Sequence, residues 1–451
     1  MENINNIQRF YFVGIGGIGM SALARYFKSQ NKEVFGYDKT PSELTATLVK
    51  EGIPVSFKDD PSVVPDVISQ GENTLIVYTP AIPKDSKLLF YFRENVFELI
   101  KRAALLGVVT KNTLCLAVAG THGKTTTSAI LGHLLADCNM PVTAFLGGIA
   151  ENYNSNFICK GHEITVVEAD EFDRSFLQLR PDIACVTSMD ADHLDIYGDV
   201  STIENAFREF SELIPKKENL LIKKGLPLEG RTVAVEETAD FQAQNVRIEN
   251  GSYVFDLITP SETIKDLKFL LPGHHNLSNA IIALGMAILA GTPTPCLPKA
   301  LLNFKGVKRR FSYKIKSEKL VLIDDYAHHP TEIDALFQAV SEMYPNDEKL
   351  IVFQPHLYSR TRDFADRFAE SLSQFDEVIL LDIYPAREEP LEGISSGWLL
   401  DKIKNNKKKI VSKIELVKSV NSSKCRIKLL VGAGDIGAEV DNITKFLKDE
   451  N

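Results

Sequence analysis

No two cysteines in this chain are spaced as Cys-x-x-Cys. The six cysteines (Cys115, Cys138, Cys159, Cys185, Cys296 and Cys425) are scattered along the sequence. Three of them fall in apolar, strand-like runs, where a small hydrophobic residue suits a core. This pattern suggests neither a zinc site nor a dithiol redox centre, and it fits a reducing compartment. No uninterrupted apolar run is long enough to cross a bilayer. The first strand is reached without the basic stretch and cleavage site of a secretory signal. Positive charge is not in excess either: 51 Lys and Arg against 60 Asp and Glu give a net charge of −9. The chain therefore lacks the basic surface of a nucleic-acid binder, and Lys407-Lys408-Lys409 reads as a solvated helix end. No internal repeat or low-complexity linker is evident. What remains is a chain of 451 residues, 44% hydrophobic and 25% charged, the profile of a multidomain cytoplasmic enzyme.

The strongest positive signal is Gly120-Thr121-His122-Gly123-Lys124-Thr125-Thr126-Thr127. An apolar strand, Leu114 to Ala119, precedes it, and helical periodicity through Ile130, Leu131, Leu134 and Leu135 follows. Strand, glycine turn, Lys-Thr and helix is the layout of a phosphate cradle. Glycines let backbone N–H groups approach the phosphates, and the helix N-terminus adds positive potential. Lys124 is expected on the terminal phosphates and the Thr125 hydroxyl on Mg²⁺. Val118 stands where the full pattern has glycine, so the match is to a shortened form.

Strands and helices alternate over most of the length, which implies α/β domains with mainly parallel sheets. Three blocks stand out, 1–112, 113–306 and 307–451. The first opens with the strand Phe10 to Val13 and the turn Gly14-Ile15-Gly16-Gly17-Ile18-Gly19, then a helix from Met20 to Lys28. A second strand ends at Asp38. Such a turn suits a diphosphate, with the acid on a ribose hydroxyl. The same spacing recurs at Gly432-Ala433-Gly434-Asp435-Ile436-Gly437, where a purely structural turn is the competing reading. In the second block a polar, turn-rich insertion with short strand-like pieces lies between about residues 216 and 270.

Acids follow two strands of the second block. Glu168-Ala169-Asp170-Glu171 comes after Ile164–Val167, and Asp190-Ala191-Asp192-His193-Leu194-Asp195 after the strand ending at Thr187. Carboxylates at such strand ends, beside a phosphate loop, are placed to hold Mg²⁺, with Glu168 the foremost candidate and His193 a further ligand. Asn276 and Asn279 are three apart at the start of a helix and can share a face, where two amides could read an adenine edge. Asn276 can alternatively cap that helix. In the third block, Lys308-Arg309-Arg310-Phe311, Asp324-Asp325-Tyr326-Ala327-His328-His329 and Gln354-Pro355-His356-Leu357-Tyr358-Ser359-Arg360-Thr361-Arg362 place cations and histidines at strand ends. An anionic substrate could be held there.

Together these motifs resemble the Mur ligases over nearly the whole chain. The likeness rests on Phe12 to Ser21, Gly120 to Thr127, Glu168 to Glu171 with Asp173 to Phe176, Asp190 to Asp195, His275-Asn276 with Asn279, Gly306 to Phe311, and Asp325-Tyr326 with His328 to Glu332. The resemblance implies a Rossmann-like UDP-sugar domain, a central P-loop-type ATPase domain and a C-terminal Rossmann-like domain on the amino-acid side. It assigns Gly14, Gly16, Gly17, Gly19, Met20, Ser21 and Asp38 to the sugar nucleotide, with His122 facing the muramoyl carboxylate. Gly120, Thr121, His122, Gly123, Lys124, Thr125, Thr126, Asn276, Asn279, Arg310 and Asp325 fall to ATP. Thr125, Glu168 and His193 fall to Mg²⁺, with Mn²⁺ as an alternative. Tyr326, His328 and Arg360 fall to the amino acid, and Lys124, Glu168, His193, His328 and Arg360 are the implied catalytic set.

The implied reaction joins L-alanine to the lactyl carboxylate of UDP-N-acetylmuramate through an acyl phosphate. It implies small-molecule substrates, no nucleic acid and no membrane insertion, with monomer and homodimer both open. Leu357 stands where the family usually has Arg, Phe172 where it often has Ser, and Tyr78-Thr79-Pro80-Ala81-Ile82 replaces a Ser-Ser-Ala-Ile stretch. No lysine lies between His193 and Phe210, so the carbamylated lysine of later-acting sister ligases is not expected. That suits the alanine-adding branch, and the Asp173-Arg174-Ser175-Phe176 block with the run Asp190 to Gly198 favours it over a tripeptide-recycling branch. A nicotinamide dehydrogenase, suggested by the first glycine turn alone, would leave Lys124, Glu168 and His193 unexplained, and a non-catalytic nucleotide-binding regulator is the alternative that amino-acid-dependent ATP turnover excludes.

Overall fold

The computed structural model describes residues 4–69, 71–190, 200–249, 251–386 and 388–450. It is an α/β fold with sheets of five, ten and six strands. By contact density the chain divides into two compact units. The first is Met1–Val246, Val254–Phe269 and Ser278–Phe304, and the second is Arg247–Tyr253, Leu270–Leu277 and Lys305–Asn451. Among the described residues no helix is long and apolar enough to cross a membrane.

The first unit contains the five-stranded sheet, β1 (Arg9–Val13), β2 (Glu33–Tyr37), β3 (Val55–Ser56), β4 (Thr74–Tyr78) and β5 (Glu98–Lys101), in the order β3-β2-β1-β4-β5. Every pairing in it is parallel. Phe10, Tyr11, Phe12 and Val13 are all buried, as a central strand covered on both faces requires. Helix α1 (Ile18–Ser29) follows the glycine turn, and α2 (Arg102–Thr110) follows β5.

The ten-stranded sheet begins with β6 (Leu114–Ala119), β7 (Val142–Ala150), β8 (Ser155–Cys159), β9 (Ile164–Glu168) and β10 (Ile183–Val186). Strand β6 lies between β9 and β10, parallel to both, and β8 runs antiparallel to β7. The carboxyl ends of β6, β9 and β10 thus lie side by side, where open α/β sheets bind ligands. Helix α3 (Lys124–Asp137) follows β6 and is buried from Thr125 to Ala136. The expected turn-rich insertion with short strand-like pieces is regular sheet: β11 (Leu220–Lys223), β12 (Arg231–Val235), β13 (Phe241–Glu249), β14 (Ser252–Ile258) and β15 (Thr263–Phe269) extend this layer. Their polar character comes from alternation. Phe241 and Ala243, or Leu267 and Phe269, are buried while their neighbours are not, the mark of strands with one wet face.

Helix α1 is fastened to the β7–β8 hairpin. The Tyr26 ring packs near Phe145 and Phe157. Asn156, fully buried on β8, donates to the Ile18 carbonyl at 2.5 Å and to Ser21 Oγ at 3.0 Å. It accepts from Arg25, whose Nε and Nη2 also bind the Glu51 carboxylate at 2.7 and 3.1 Å. A buried amide with its donors and acceptor engaged gives the first sheet a fixed register on the second.

Two of the six cysteines, read from the sequence as unpaired, are bonded to each other. Cys138, just after α3, and Cys296, 158 residues later, are joined in a disulfide with a Cα–Cα distance of 5.7 Å. A pairing this remote leaves no spacing signature in the sequence. Unfolding without reductant should expose the four free thiols of Cys115, Cys159, Cys185 and Cys425. Thiol titration should then find two more after reduction, whereas six titrating thiols beforehand would show the pair unoxidised.

The second unit holds β16 (Ser312–Lys316), β17 (Val321–Asp325), β18 (Lys349–Phe353), β19 (Glu377–Leu380), β20 (Lys408–Ile410) and β21 (Ile427–Val431), ordered β16-β17-β21-β18-β19-β20. All its pairings are parallel except that of β16 with β17. The run Lys407-Lys408-Lys409 enters the edge strand β20 instead of ending a helix. Lys408 Nζ donates to the Leu400 and Ile403 carbonyls at 2.9 and 2.7 Å, satisfying groups at the end of the helix Ser396–Lys402. Lysine on an edge strand also discourages pairing with another sheet.

Candidate active site

In the first unit the chain turns from β6 into α3 through Gly120, with φ +132°, and Gly123, with φ +84°. Both glycines also make room. A Cβ on Gly120 would lie 2.1 Å from Thr187 Oγ1, and one on Gly123 would lie 2.6 Å from Asn279 Oδ1. The loop is braced from the segment after β10. His122 N donates to Ser188 Oγ at 2.7 Å, Thr121 Oγ1 lies 2.9 Å from the same oxygen, and Asp190 N donates to Thr121 Oγ1 at 3.0 Å. The His122 ring sits 3.5 Å from Asp190. Thr187 and Ser188 are therefore part of the loop's support, although no spacing rule in the sequence singles them out. Thr126 lies buried in the first turn of α3.

Lys124 folds back over this loop. Its Nζ donates to the Gly120 carbonyl at 2.6 Å and pairs with the buried Glu171 at 2.7 Å. Burial pulls the ammonium pKa down, but Glu171, Glu168 and Asp170 outweigh that and hold it above the usual lysine range. Thr125 Oγ1 is 3.1 and 3.0 Å from the two oxygens of Glu168. Glu168 closes against the backbone of Gly147 on β7, where a Cβ would lie 2.0 Å from Oε2. Among the described residues no three His, Cys, Asp or Glu side chains converge as a preformed metal cluster. A hydroxyl and a carboxylate side by side nevertheless suit Mg²⁺, which takes few protein oxygens and completes its shell with water and phosphate. His193 lies outside the described residues.

Glu168 opens onto a cavity of about 280 Å³ lined also by Gly17, Gly19, Met20, Arg102, Gly147 and Asp170. The first glycine turn thus faces the acids at the end of β9. Gly14 has φ +89°, a conformation that residues with a Cβ rarely adopt, and packs against Ile82. Gly16 N donates to Asp38 Oδ2 at 2.8 Å, and Thr40 N donates to Oδ1 at 3.0 Å. Asp38, expected on a ribose, is at least a clamp on the turn itself. The Ser21 hydroxyl is fully buried and bonds to Ile18 and Asn156, so it braces α1 and does not line the cavity.

The second unit gathers the third-block residues at the carboxyl ends of β17, β18 and β21. The guanidinium groups of Arg309 and Arg310 each lie over the Tyr326 ring, 5.1 Å from its centre. The Asp325 carboxylate accepts from Phe311 N at 2.7 Å and from Ala327 N at 2.8 Å, and Arg310 lies 3.8 Å from Glu332. His328 packs 5.5 Å from the Tyr326 ring and 6.0 Å from His356, and Arg360 Nη1 is 3.4 Å from His356 Nδ1. His356 therefore links the three residues expected on the amino acid, a role that its sequence cluster alone does not specify. Leu357, where the family usually has Arg, adopts φ +71°, and its N–H donates to the Tyr384 carbonyl at 2.9 Å.

Burial pushes the Asp325 carboxyl up to about 6, against the opposing pull of Arg310 and the two N–H donors. A raised folded-state pKa contributes stability below the unfolded value of about 3.9, and that contribution disappears as pH rises through about 6, a linkage on the order of 3 kcal/mol. A carbon-detected NMR titration should find Asp325 changing charge near pH 6; a midpoint near 4 would contradict the burial argument.

At the second glycine turn, Gln354 Oε1 accepts from Ile436 N at 2.8 Å. A Cβ on Gly437 would come within 2.5 Å of the Arg309 guanidinium. The start of that helix is filled by side chains, which supports the structural reading. In α4 (His274–Leu289), Asn276 lies inside the first turn and donates to the Pro272 carbonyl at 2.7 Å, so it is not the helix cap. Asn279 in the first unit borders Gly123 of the phosphate loop.

A phosphate loop beside strand-end carboxylates and a glycine-turn cavity, with a further α/β domain bearing arginines and histidines, defines an ATP-dependent ligase class. Family models match in the same order: "Mur ligase family, catalytic domain" over residues 9–113, "Mur ligase middle domain" over 118–287 and "Mur ligase, glutamate ligase domain" over 309–436. The chain belongs to the Mur ligase family. It is 60% identical over 451 residues to the UDP-N-acetylmuramate–L-alanine ligase of Christiangramia forsetii, covering 100% of both chains. It is 46% identical to the protein of that name from Parabacteroides distasonis, covering 99% of this chain and 98% of the relative. The crystal structure of the Thermotoga maritima UDP-N-acetylmuramate–alanine ligase superposes with a TM-score of 0.83 at 28% identity, covering 98% of this chain and 100% of that one.

Proposed function

We propose that this chain joins L-alanine to the lactyl carboxylate of UDP-N-acetylmuramate, with ATP converted to ADP and phosphate, in the cytoplasmic synthesis of a peptidoglycan precursor. The observation that carries this reading is full-length 60% identity to ligases bearing that name. The pairing of Lys124 and Thr125 with the carboxylates Glu171 and Glu168 at the end of β9 supports it. We divide the chain at residues 112 and 306 into sugar-nucleotide, ATP and amino-acid domains.

In the first step the lactyl carboxylate attacks the γ-phosphorus of ATP, giving an acyl phosphate and ADP. The alanine amine then attacks the acyl carbon, phosphate leaves and the amine loses a proton. The first step brings two anions together, so positioning and charge neutralisation dominate catalysis. Lys124 exchanges Glu171 for the terminal phosphate, while the N–H groups of Gly120 to Thr126 cradle the chain of phosphates. Thr125 and Glu168 would hold Mg²⁺, which supplies positive charge on the phosphates when bound; His193 is assigned with them. Asn276, Asn279, Arg310 and Asp325 serve ATP. Tyr326, His328 and Arg360 serve the amino acid. Gly14, Gly16, Gly17, Gly19, Met20 and His122 serve the sugar nucleotide, with Ser21 and Asp38 holding that turn in shape.

The test is phosphate release from ATP with UDP-N-acetylmuramate, comparing L-alanine, L-serine, glycine and L-Ala-D-Glu-diaminopimelate. Release with L-alanine, and a product heavier by one alanyl residue, is the expected result. Release with the tripeptide alone would move the chain to the recycling activity.

A further inference from the structure

Arg102 begins α2, directly after the edge strand β5. It belongs to none of the motifs discussed above. Its guanidinium nevertheless lies over the first glycine turn, since a Cβ on Gly19 would come within 2.7 Å of Nη1. On the other side Nη2 reaches Asp170 Oδ2 at 3.4 Å. Arg102 is the cation among the described residues lining the cavity, which also presents the acids Glu168 and Asp170. The Asp170 contact is long, and the two side chains remain 24% and 40% exposed. Such a pair contributes little to stability and leaves most of the guanidinium's donors for a ligand.

The helix is held so that this side chain stays in place. A Cβ on Gly107 would come 2.5 Å from the Gln178 carbonyl, so the α2 backbone lies directly against the end of the segment Phe172–Gln178. That segment follows the acidic loop Glu168 to Glu171 immediately in the chain. Helix α2 is thereby seated against the segment that follows the loop carrying Glu168, with the Arg102 guanidinium beside Gly19. An anion entering this cavity meets two carboxylates, and a planar cation that can grip an oxyanion with two parallel hydrogen bonds offsets their repulsion.

We propose that Arg102 is a substrate-binding residue that grips an oxyanion of the sugar nucleotide inside the cavity between Gly19 and Glu168. The inference rests on the ligase reading above, and it takes either the diphosphate or the lactyl carboxylate as the group held. Calorimetric titration of the intact protein and of Arg102→Ala and Arg102→Lys separates the cases, with UDP-N-acetylmuramate, UDP-N-acetylglucosamine and ATP as probes. Arg102→Ala should weaken UDP-N-acetylmuramate binding by about tenfold to a hundredfold, the range for a lost charge-assisted hydrogen bond. ATP affinity and melting temperature should stay unchanged, with Arg102→Lys intermediate. A parallel loss for UDP-N-acetylglucosamine, which lacks the lactyl group, assigns Arg102 to the diphosphate; a loss confined to UDP-N-acetylmuramate assigns it to the carboxylate. Unchanged UDP-N-acetylmuramate affinity in Arg102→Ala, or weakening of both substrates together with a lower melting temperature, overturns the proposal. If the unaltered protein binds no UDP-N-acetylmuramate, the ligase reading itself fails.

Discussion

Replacing Lys124 with alanine should lower ATP-dependent phosphate release by about 10³-fold or more, the scale on which loss of a preorganised charge at a transferring phosphoryl group is felt. The same substitution should also lower the melting temperature, for a separate reason. Glu171 is 2% exposed and pairs with Lys124 at 2.7 Å, so removing the lysine strands a buried carboxylate. Breaking such a pair costs about 3–5 kcal/mol. The two effects come apart in Lys124→Ala combined with Glu171→Gln. The double variant should recover most of the lost stability, because no buried charge remains, while turnover stays absent. Recovery of turnover in the double variant would mean that Lys124 serves only to neutralise Glu171, and full activity in Lys124→Ala would remove the phosphate-loop assignment. The measurements are a coupled phosphate assay and a thermal melt on the same preparations.

Lys124 marks both what the sequence makes legible and what it conceals. Gly120, Gly123 and Lys124 are legible because the backbone conformation and the phosphate chemistry demand those residue types at those spacings, between a strand and a helix. The central strands are legible because burial on both faces leaves continuous apolar runs, as in Phe10 to Val13. The strands Phe241–Glu249 and Thr263–Phe269 are less so, since each shows water one face and its alternation resembles a polar insertion. The partner of Lys124 is equally hidden: four acids lie within 168–173, and nothing in their order says that Glu171 turns to the lysine while Glu168 turns to Thr125. Arg102, Asn156 and Ser188 act on groups far away in sequence, at Asp170, Ile18 and His122 respectively. A lone side chain with a remote partner has no local period or spacing to betray it. Asp38 is an intermediate case: its type and place after β2 are readable, but its grip on the Gly16 and Thr40 amides is a fact of three-dimensional packing.

Gly147→Ala should cost at least about a hundredfold in turnover, the order expected when a reacting geometry is displaced by about 1 Å, and little in stability. Gly147 does not need a glycine conformation, as it is absent from the positive-φ positions of the described chain. Its lack of a side chain matters because a Cβ there would sit 2.0 Å from Glu168 Oε2 and 2.6 Å from Cδ. The group that must yield is the end of a flexible side chain, so the fold can absorb the methyl by swinging the carboxylate away. That swing breaks the hydrogen bonds from Thr125 Oγ1 at 3.1 and 3.0 Å and parts the hydroxyl from the carboxylate that together suit Mg²⁺. The Mg²⁺ concentration needed for half-maximal turnover should rise accordingly, while the thermal midpoint stays close to that of the unaltered protein. Glu168→Gln supplies the comparison, because it weakens the same oxygen site without a steric push. If Gly147→Ala keeps full turnover and an unchanged Mg²⁺ dependence, the position of Glu168 against β7 is incidental. If it unfolds the protein, the carboxylate is wedged more tightly than a swinging side chain allows, and Glu168→Gln alone then decides whether that oxygen site carries the chemistry.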